Sequence, residues 1–171
     1  VNRILMGHAL IASFGGSPLL YMGDELGLLN DHSYRDHPEL AGDGRWMHRP
    51  MMDWDAVGRI AHGESGPAAW IHAGTRHLMQ RRKATPELAS WVPTRIVDTG
   101  HPHVFAFRRL ADERTLTAAF NFTDAHQAVA ATALGLDPAQ PCHELISDRP
   151  VAFHDGLLHL PPYGRVWLVP A

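Results

Sequence analysis

Gly15-Gly16-Ser17-Pro18-Leu19-Leu20-Tyr21-Met22-Gly23-Asp24-Glu25 is the stretch from which the rest of the chain is read. Its centre, Pro18 to Met22, is apolar and lies between a double glycine and a Gly-Asp-Glu. A run apolar on both faces and bracketed by breakers predicts a short buried strand, Leu19–Met22. A helix-like segment precedes it and a long polar loop follows it. Helix, buried strand and loop in that order make one unit of a parallel α/β sheet. In such sheets the loops at the C-terminal ends of the strands carry the ligand chemistry. The residues after Gly23 are therefore the first place to look for function. The plainer alternative is a structural strand followed by an ordinary loop.

Outward from that stretch the chain changes character. Val1 to Phe14 predicts a helix, with Ile4, Leu5, Ala9 and Ala12 on a wide apolar face and Gly15-Gly16 as its stop. Asp24 to about Gly66 is a long irregular segment, rich in Gly, Asp, His and Pro. It contains Trp46, Met47, Met51, Met52 and Trp54, enough apolar surface to fold on itself. Pro67 to Lys83 returns to helix, with Pro67 in its first turn, Ser65 as a candidate cap, and Arg76, Arg81, Arg82 and Lys83 toward its end. The bland reading of those cations is a solvated helix end. From about Val92 the period becomes that of strands: Arg95–Val97, His103–Arg108, Thr115–Phe120, Gln127–Ala130, His143–Ile146, Leu157–Leu160 and Arg165–Val169. Turn signals separate them at Thr99-Gly100, Ala111-Asp112-Glu113, Asp137-Pro138, Asp148-Arg149-Pro150 and Asp155-Gly156. Short strands at regular spacing predict an antiparallel sandwich. The sequence thus divides near residues 84–92, α/β before and all-β after.

Composition narrows the function classes. A chain of 171 residues holds one domain or parts of two, and 45% hydrophobic content is that of a folded protein. A net charge of -3 gives no basic patch for nucleic acid. No apolar run nears the ~20 residues of a membrane span. The single cysteine, Cys142, excludes an internal disulfide framework and fits a reducing, cytoplasmic compartment. The opening at Val1, inside an amphipathic segment, leads us to expect a portion of a longer chain.

Several residues invite chemistry. Asp24 and Glu25 are adjacent carboxylates, which an extended backbone points to opposite sides. They suit a structural role better than an acid/base pair, one carboxylate accepting backbone N–H groups of the loop it opens. Asp43-Gly44-Arg45-Trp46-Met47-His48-Arg49-Pro50 is the densest polar cluster. Its arginines can pair bidentately with carboxylates, and Trp46 can pack on a sugar or in a core. A solvated loop arginine is the alternative. His32, His37, His48 and His62 raise a metal site, but none has the helical spacing of a zinc pair. No phosphate loop, dinucleotide fingerprint or Gly-x-Ser-x-Gly is present, so neither a cofactor nor a nucleophilic serine is expected.

With these residues on the page, a resemblance is specific. GGSPLLYMGDELGLLND resembles the last barrel strand and following loop of the α-amylase superfamily. DGRWMHRPMMDW, with GLLNDHSY before it, resembles the amylosucrases within it. HLMQRRKATPEL is similar to the final barrel helix, and PHVFAFRR with LTAAFNFTD to the start of the C-terminal β-domain. The resemblance covers nearly the whole chain. It implies a C-terminal part of a (β/α)8 barrel over residues 1–88 and an antiparallel β-sandwich over 89–171. It also implies glucosyl transfer from sucrose to an α-glucan acceptor by a retaining mechanism, with an aspartate nucleophile, a glutamate acid/base and a stabilising aspartate. Those acids would lie upstream, in a barrel segment absent here, and none of the residues present is catalytic. Arg45 matches the family arginine at the floor of the glucosyl pocket, paired with an aspartate from an early barrel loop. The alternatives are a sucrose hydrolase, α-glucosidase or trehalose-synthase relative, or, in another class, a non-catalytic carbohydrate-binding β-sandwich. Residues 1–85 speak against that last one, since a binding module has no need of a parallel-sheet strand.

Overall fold

The computed structural model describes residues 1–111 and 114–171. The turn expected at Ala111-Asp112-Glu113 falls in part on Asp112 and Glu113, outside the described residues. The helices are α1 (Asn2–Phe14), α2 (Trp54–Ala61) and α3 (Pro67–Lys83). The strands are β1 (Thr94–Val97), β2 (Val104–Leu110), β3 (Thr115–Asn121), β4 (Gln127–Ala130), β5 (Cys142–Glu144), β6 (Arg149–Val151), β7 (Leu157–Leu160) and β8 (Arg165–Pro170). Two compact units result: Leu19–Thr75 with Val1, and Asn2–Pro18 with Arg76–Ala171. α1 and the end of α3 belong to the larger unit because they share the core of the β-sheet.

In the larger unit six strands form one sheet in the order β1-β2-β3-β8-β5-β6, and β4 pairs with β7 in a second. Every pairing is antiparallel. Side chains alternate between the faces of a strand, so β2, β3 and β8 each feed two cores. On one face Phe107, Ala118, Phe120, Trp167 and Val169 pack with Leu5, Met6, Ala9 and Ala12 of α1 and with Leu78 and Leu88. On the other, Val104, Ala106, Ala119 and Leu168 pack with Val129, Leu158 and Leu160 of the small sheet. Each fully buried Phe or Leu contributes roughly 1.5–3 kcal/mol. Helices, rather than a second full sheet, cover one face.

Two readings need correction. Asp148-Arg149-Pro150 is not all turn. Asp148 turns, at φ 59°, and Arg149–Val151 pairs with β5. Pro150 is tolerated there because β6 is an edge strand. Leu19–Met22 forms no strand. A parallel strand exists only with neighbours that accept its ladder, and among the described residues no strand pairs with it. Instead it runs into a turn closed by Asp24 N–H donating to Tyr21 O at 3.0 Å. Leu19 is 83% exposed.

The C-terminus of α1 gathers long-range polar contacts. Gly15 and Gly16 end the helix at φ 139° and 61°. The carbonyls left without helical partners receive two guanidinium groups. Arg82 donates to Ala12 O and, at 2.8 Å, to Gly16 O. Arg109, fully buried, donates to Phe14 O at 2.7 Å, Glu87 O at 3.2 Å, Ala89 O at 2.5 Å and Thr94 Oγ1 at 2.6 Å. Burying a charge costs several kcal/mol, and these charge-assisted bonds offset it. Burial, and then the neighbouring charge of Arg82, push the Arg109 guanidinium below its ordinary value. Gly15 is required here: a Cβ would stand 2.5 Å from Arg109 Nη1. Arg82 is thus not a solvated helix-end cation.

At the end of β3 Asn121 is fully buried. Its Nδ2 donates to Ala125 O at 2.7 Å and Pro161 O at 2.8 Å. Its Oδ1 accepts from Thr123 N at 2.9 Å and Thr123 Oγ1 at 2.8 Å.

Candidate functional site

The site lies in Leu19–Thr75, where turns and short 3-10 segments replace the expected irregular loop. Gly23 takes φ 101°, and a 3-10 turn, Asp24–Leu26, follows. The carboxylates of Asp24 and Glu25 turn back on the backbone. Asp24 Oδ2 accepts from Tyr21 N at 3.2 Å and Glu25 Oε2 from Gly23 N at 2.8 Å. This is the structural role read for the pair: each carboxylate shapes the loop it opens.

The Asp43–Pro50 cluster folds as a 3-10 segment, Gly44–His48, capped by Asp43. Asp43 Oδ1 accepts from Arg45 N at 3.0 Å. The same carboxylate grips the Arg45 side chain, with Nε at 2.8 Å from Oδ1 and Nη2 at 2.7 Å from Oδ2. The Arg45 side chain is 75% exposed, so its own loop holds it. The Arg45 bonds, side chain first and backbone second, lower the Asp43 carboxyl from 3.8 to about 2. Nε and Nη2 are engaged by this carboxylate. Trp46 anchors a different arginine: the Arg49 guanidinium lies 5.6 Å from its ring centre. His48 Nδ1 lies 3.2 Å from Asn30 Oδ1. Asp31 N donates to Met47 O at 2.9 Å, which ties the two loops together.

Together Tyr21, Asp24, Arg45, His48 and Arg49 line a concavity of about 410 Å3. It combines an aromatic ring, a carboxylate and two guanidinium groups, the mixture that hydrogen-bonds hydroxyls and stacks on apolar ring faces. Sequence reading reached Arg45 through its cluster. It took Tyr21 only as a strand residue and weighed His48 only as a metal ligand. The signal for Asp43 was present, since an Asp two residues before Arg45 is an Asx-turn pattern. Of the other histidines weighed for metal, His37 faces Glu39 at 3.8 Å and His62 Nδ1 meets Gly58 O at 2.7 Å. Among the described residues no three His, Cys, Asp or Glu side chains converge as a metal site. No helix among them is long and apolar enough to cross a membrane.

No protein family's sequence profile matches the chain. Solved structures do match its fold. AmyP in complex with maltose superposes with a TM-score of 0.74 at 18% identity, over 98% of this chain and 34% of that one. Trehalose-6-phosphate hydrolase (TreA) from Bacillus licheniformis gives 0.70 at 16% identity, over 99% and 39%. The trehalulose synthase MutB from Pseudomonas mesoacidophila MX-45 gives 0.68 at 17%, over 99% and 38%. The chain therefore spans a little over a third of the length of the enzymes it matches. At these identities the likeness is one of fold, a small α/β and antiparallel-sheet arrangement like the C-terminal region of α-amylase family enzymes.

Proposed function

We propose that the chain is the C-terminal part of an amylosucrase-like glucosyltransferase. Such an enzyme moves glucose from sucrose to an α-glucan acceptor by a retaining mechanism, and its catalytic acids lie upstream of Val1. One observation carries the reading. The two stretches that resemble this family in sequence, GSPLLYMGDE and DGRWMHRP, contribute Tyr21 and Asp24 on one side and Arg45, His48 and Arg49 on the other to a single concavity. The likeness in fold supports it. In this reading residues 1–88 complete a barrel and 89–171 form the terminal β-domain.

Arg45 then has two partners. Asp43 orients it through Nε and Nη2, and the remaining edge takes a carboxylate from an early barrel loop and the sugar hydroxyls. A pocket for one terminal glucose must be closed at its far end, and an arginine held on one side by its own loop does this with its fork already positioned. A second reading, a hydrolase or isomerase of the same architecture, is favoured by the names of the structures that share the fold.

The test is the complete enzyme with sucrose. Fructose release together with α-glucan supports transfer, equal glucose and fructose indicate the hydrolase, and no consumption of sucrose overturns both. Arg45→Ala is expected to lower kcat/KM by at least about a hundredfold, the loss of one or two charge-assisted bonds, with little change in Tm. Arg45→Lys restores neither bidentate fork. Wild-type turnover in Arg45→Ala removes Arg45 from the site. Residues 1–171 alone are expected to be inactive on sucrose.

A further inference from the structure

We infer that Arg95 and Arg108 form an oxyanion site for a phosphate group, free or carried on a sugar, at the β1–β2 edge of the sheet. In the antiparallel register Arg95 stands directly opposite Arg108. Opposed residues share a face with their Cβ atoms about 4.5–5.5 Å apart, and like charges so placed destabilise the pair. Neither side chain has a hydrogen bond or ion pair among the described residues, and Arg108 Nε is buried with no acceptor. Arg109, the next residue on the strand, has each of its three guanidinium nitrogens bonded to oxygen atoms of the chain. A buried N–H of a cation left without a partner is destabilising. Water satisfies the N–H and leaves the two charges uncompensated.

The surroundings are built to hold the cations. Arg95 and Arg108 line one cavity of about 300 Å3, with Asp98, Thr132, Leu134 and Gly135. Gly135 turns at φ +74°, and a Cβ there would come to 3.0 Å from Arg108 Nη1 and 3.4 Å from its Cζ. The glycine backbone therefore lies against the guanidinium and limits its movement. Among the described residues the one carboxylate in the lining, Asp98, already accepts from Gly100 N at 3.0 Å. Two cations against one anion leave one positive charge in the cavity. A carboxylate fills one guanidinium fork, whereas a phosphate has oxygens for both and a charge of about -2 for the pair. The cavity also has room for the group that carries the phosphate.

The experiment follows the arginine Nε–Hε resonances of the 171-residue chain by NMR. Sodium phosphate and a hexose 6-phosphate are titrated, each against sodium chloride at matched ionic strength. The expected result is a saturable shift of the Arg108 signal with phosphate and none with chloride. Arg95→Gln and Arg108→Gln should each weaken binding roughly tenfold or more. Tighter binding of the hexose phosphate identifies the carried group, and equal binding identifies the free ion. Arg95 is exposed on an edge strand, so Arg95→Gln keeps the test readable if Arg108→Gln perturbs the fold. A shift matched by chloride, or unchanged affinity in Arg95→Gln, overturns the site.

Discussion

Residues Leu19–Thr75 and the unit made of Asn2–Pro18 and Arg76–Ala171 hold their shapes by different means. In the first, the side-chain bonds are mostly short in sequence: Asp24 to Tyr21, Arg45 to Asp43, Ala56 to Asp53. Few apolar side chains are buried there, Leu26 and Ile71 among them, while Leu29 and Met51 are both 86% exposed. In the second, Arg109 reaches Phe14 across 95 positions, and both faces of β2, β3 and β8 are buried. Turn chemistry therefore suffices to define a site, while persistence comes from long-range burial.

Hydrogen exchange tests that contrast most directly. Amides of β2, β3 and β8 are expected to open only with global unfolding, a scale of about 5–15 kcal/mol, and those of Asp24–Gly66 at local free energies of a few kcal/mol at most. Equal protection in Asp24–Gly66 and β3 would break the comparison. Next in size, Arg109→Ala leaves the carbonyl of Glu87 without its donor and takes one donor each from Phe14 O and Ala89 O. We expect a loss of about 3 kcal/mol or more in urea denaturation, with no rescue by lysine, which lacks the planar fork. A loss below about 1 kcal/mol would contradict the clamp.

Gly15→Ala should cost less, about 1–3 kcal/mol, from a strained backbone and a displaced guanidinium. Combined with Arg109→Ala its effect should be less than additive, because the clash disappears with the side chain. Strict additivity would place the strain elsewhere. The smallest effect belongs to Asp43. Its carboxyl is held at about 2 against an ordinary 3.8. A carboxyl depressed on folding stabilises above its unfolded value, and that contribution is lost as pH falls from about 4 through about 2. The Arg45 Nε–Hε resonance should follow this step, and Asp43→Asn should abolish it. A step retained in the variant would assign it to another group.

How much was legible follows the same divide. The helices at 2–14 and 67–83, and the strands of the large unit other than β6, are written in apolar period and turn residues, and their boundaries fall within a few positions. Leu19–Met22 has a strand's pattern and no ladder, because pairing is a property of neighbours. α2 was overlooked although Trp54, Val57 and Ile60 have helical spacing and Asp53 caps it, accepting from Ala56 N at 2.8 Å; the surrounding Gly and Pro masked the signal. At the candidate site the sequence picks out Arg45 but not its grip on Asp43, since a two-residue ion pair has no periodicity. The clamp on α1 was invisible for the opposite reason: its members are scattered over positions 12 to 109, and nothing local marks Arg109 as buried.

Asn121-Phe122-Thr123 also reads as an acceptor sequence for N-linked glycosylation, which attaches a glycan to the asparagine side-chain nitrogen. Here that nitrogen is inside the fold and bonded to Ala125 O and Pro161 O. A folded chain therefore has nothing to offer a glycosylating enzyme. A chain modified before folding would carry a bulky sugar on the atom that joins the end of β3 to two loops, and it could not close them. Production through a secretory pathway that glycosylates is expected to yield two populations, an unmodified folded one and a glycosylated misfolded one. Asn121→Gln would not repair the second, because the longer amide cannot keep the same bonds.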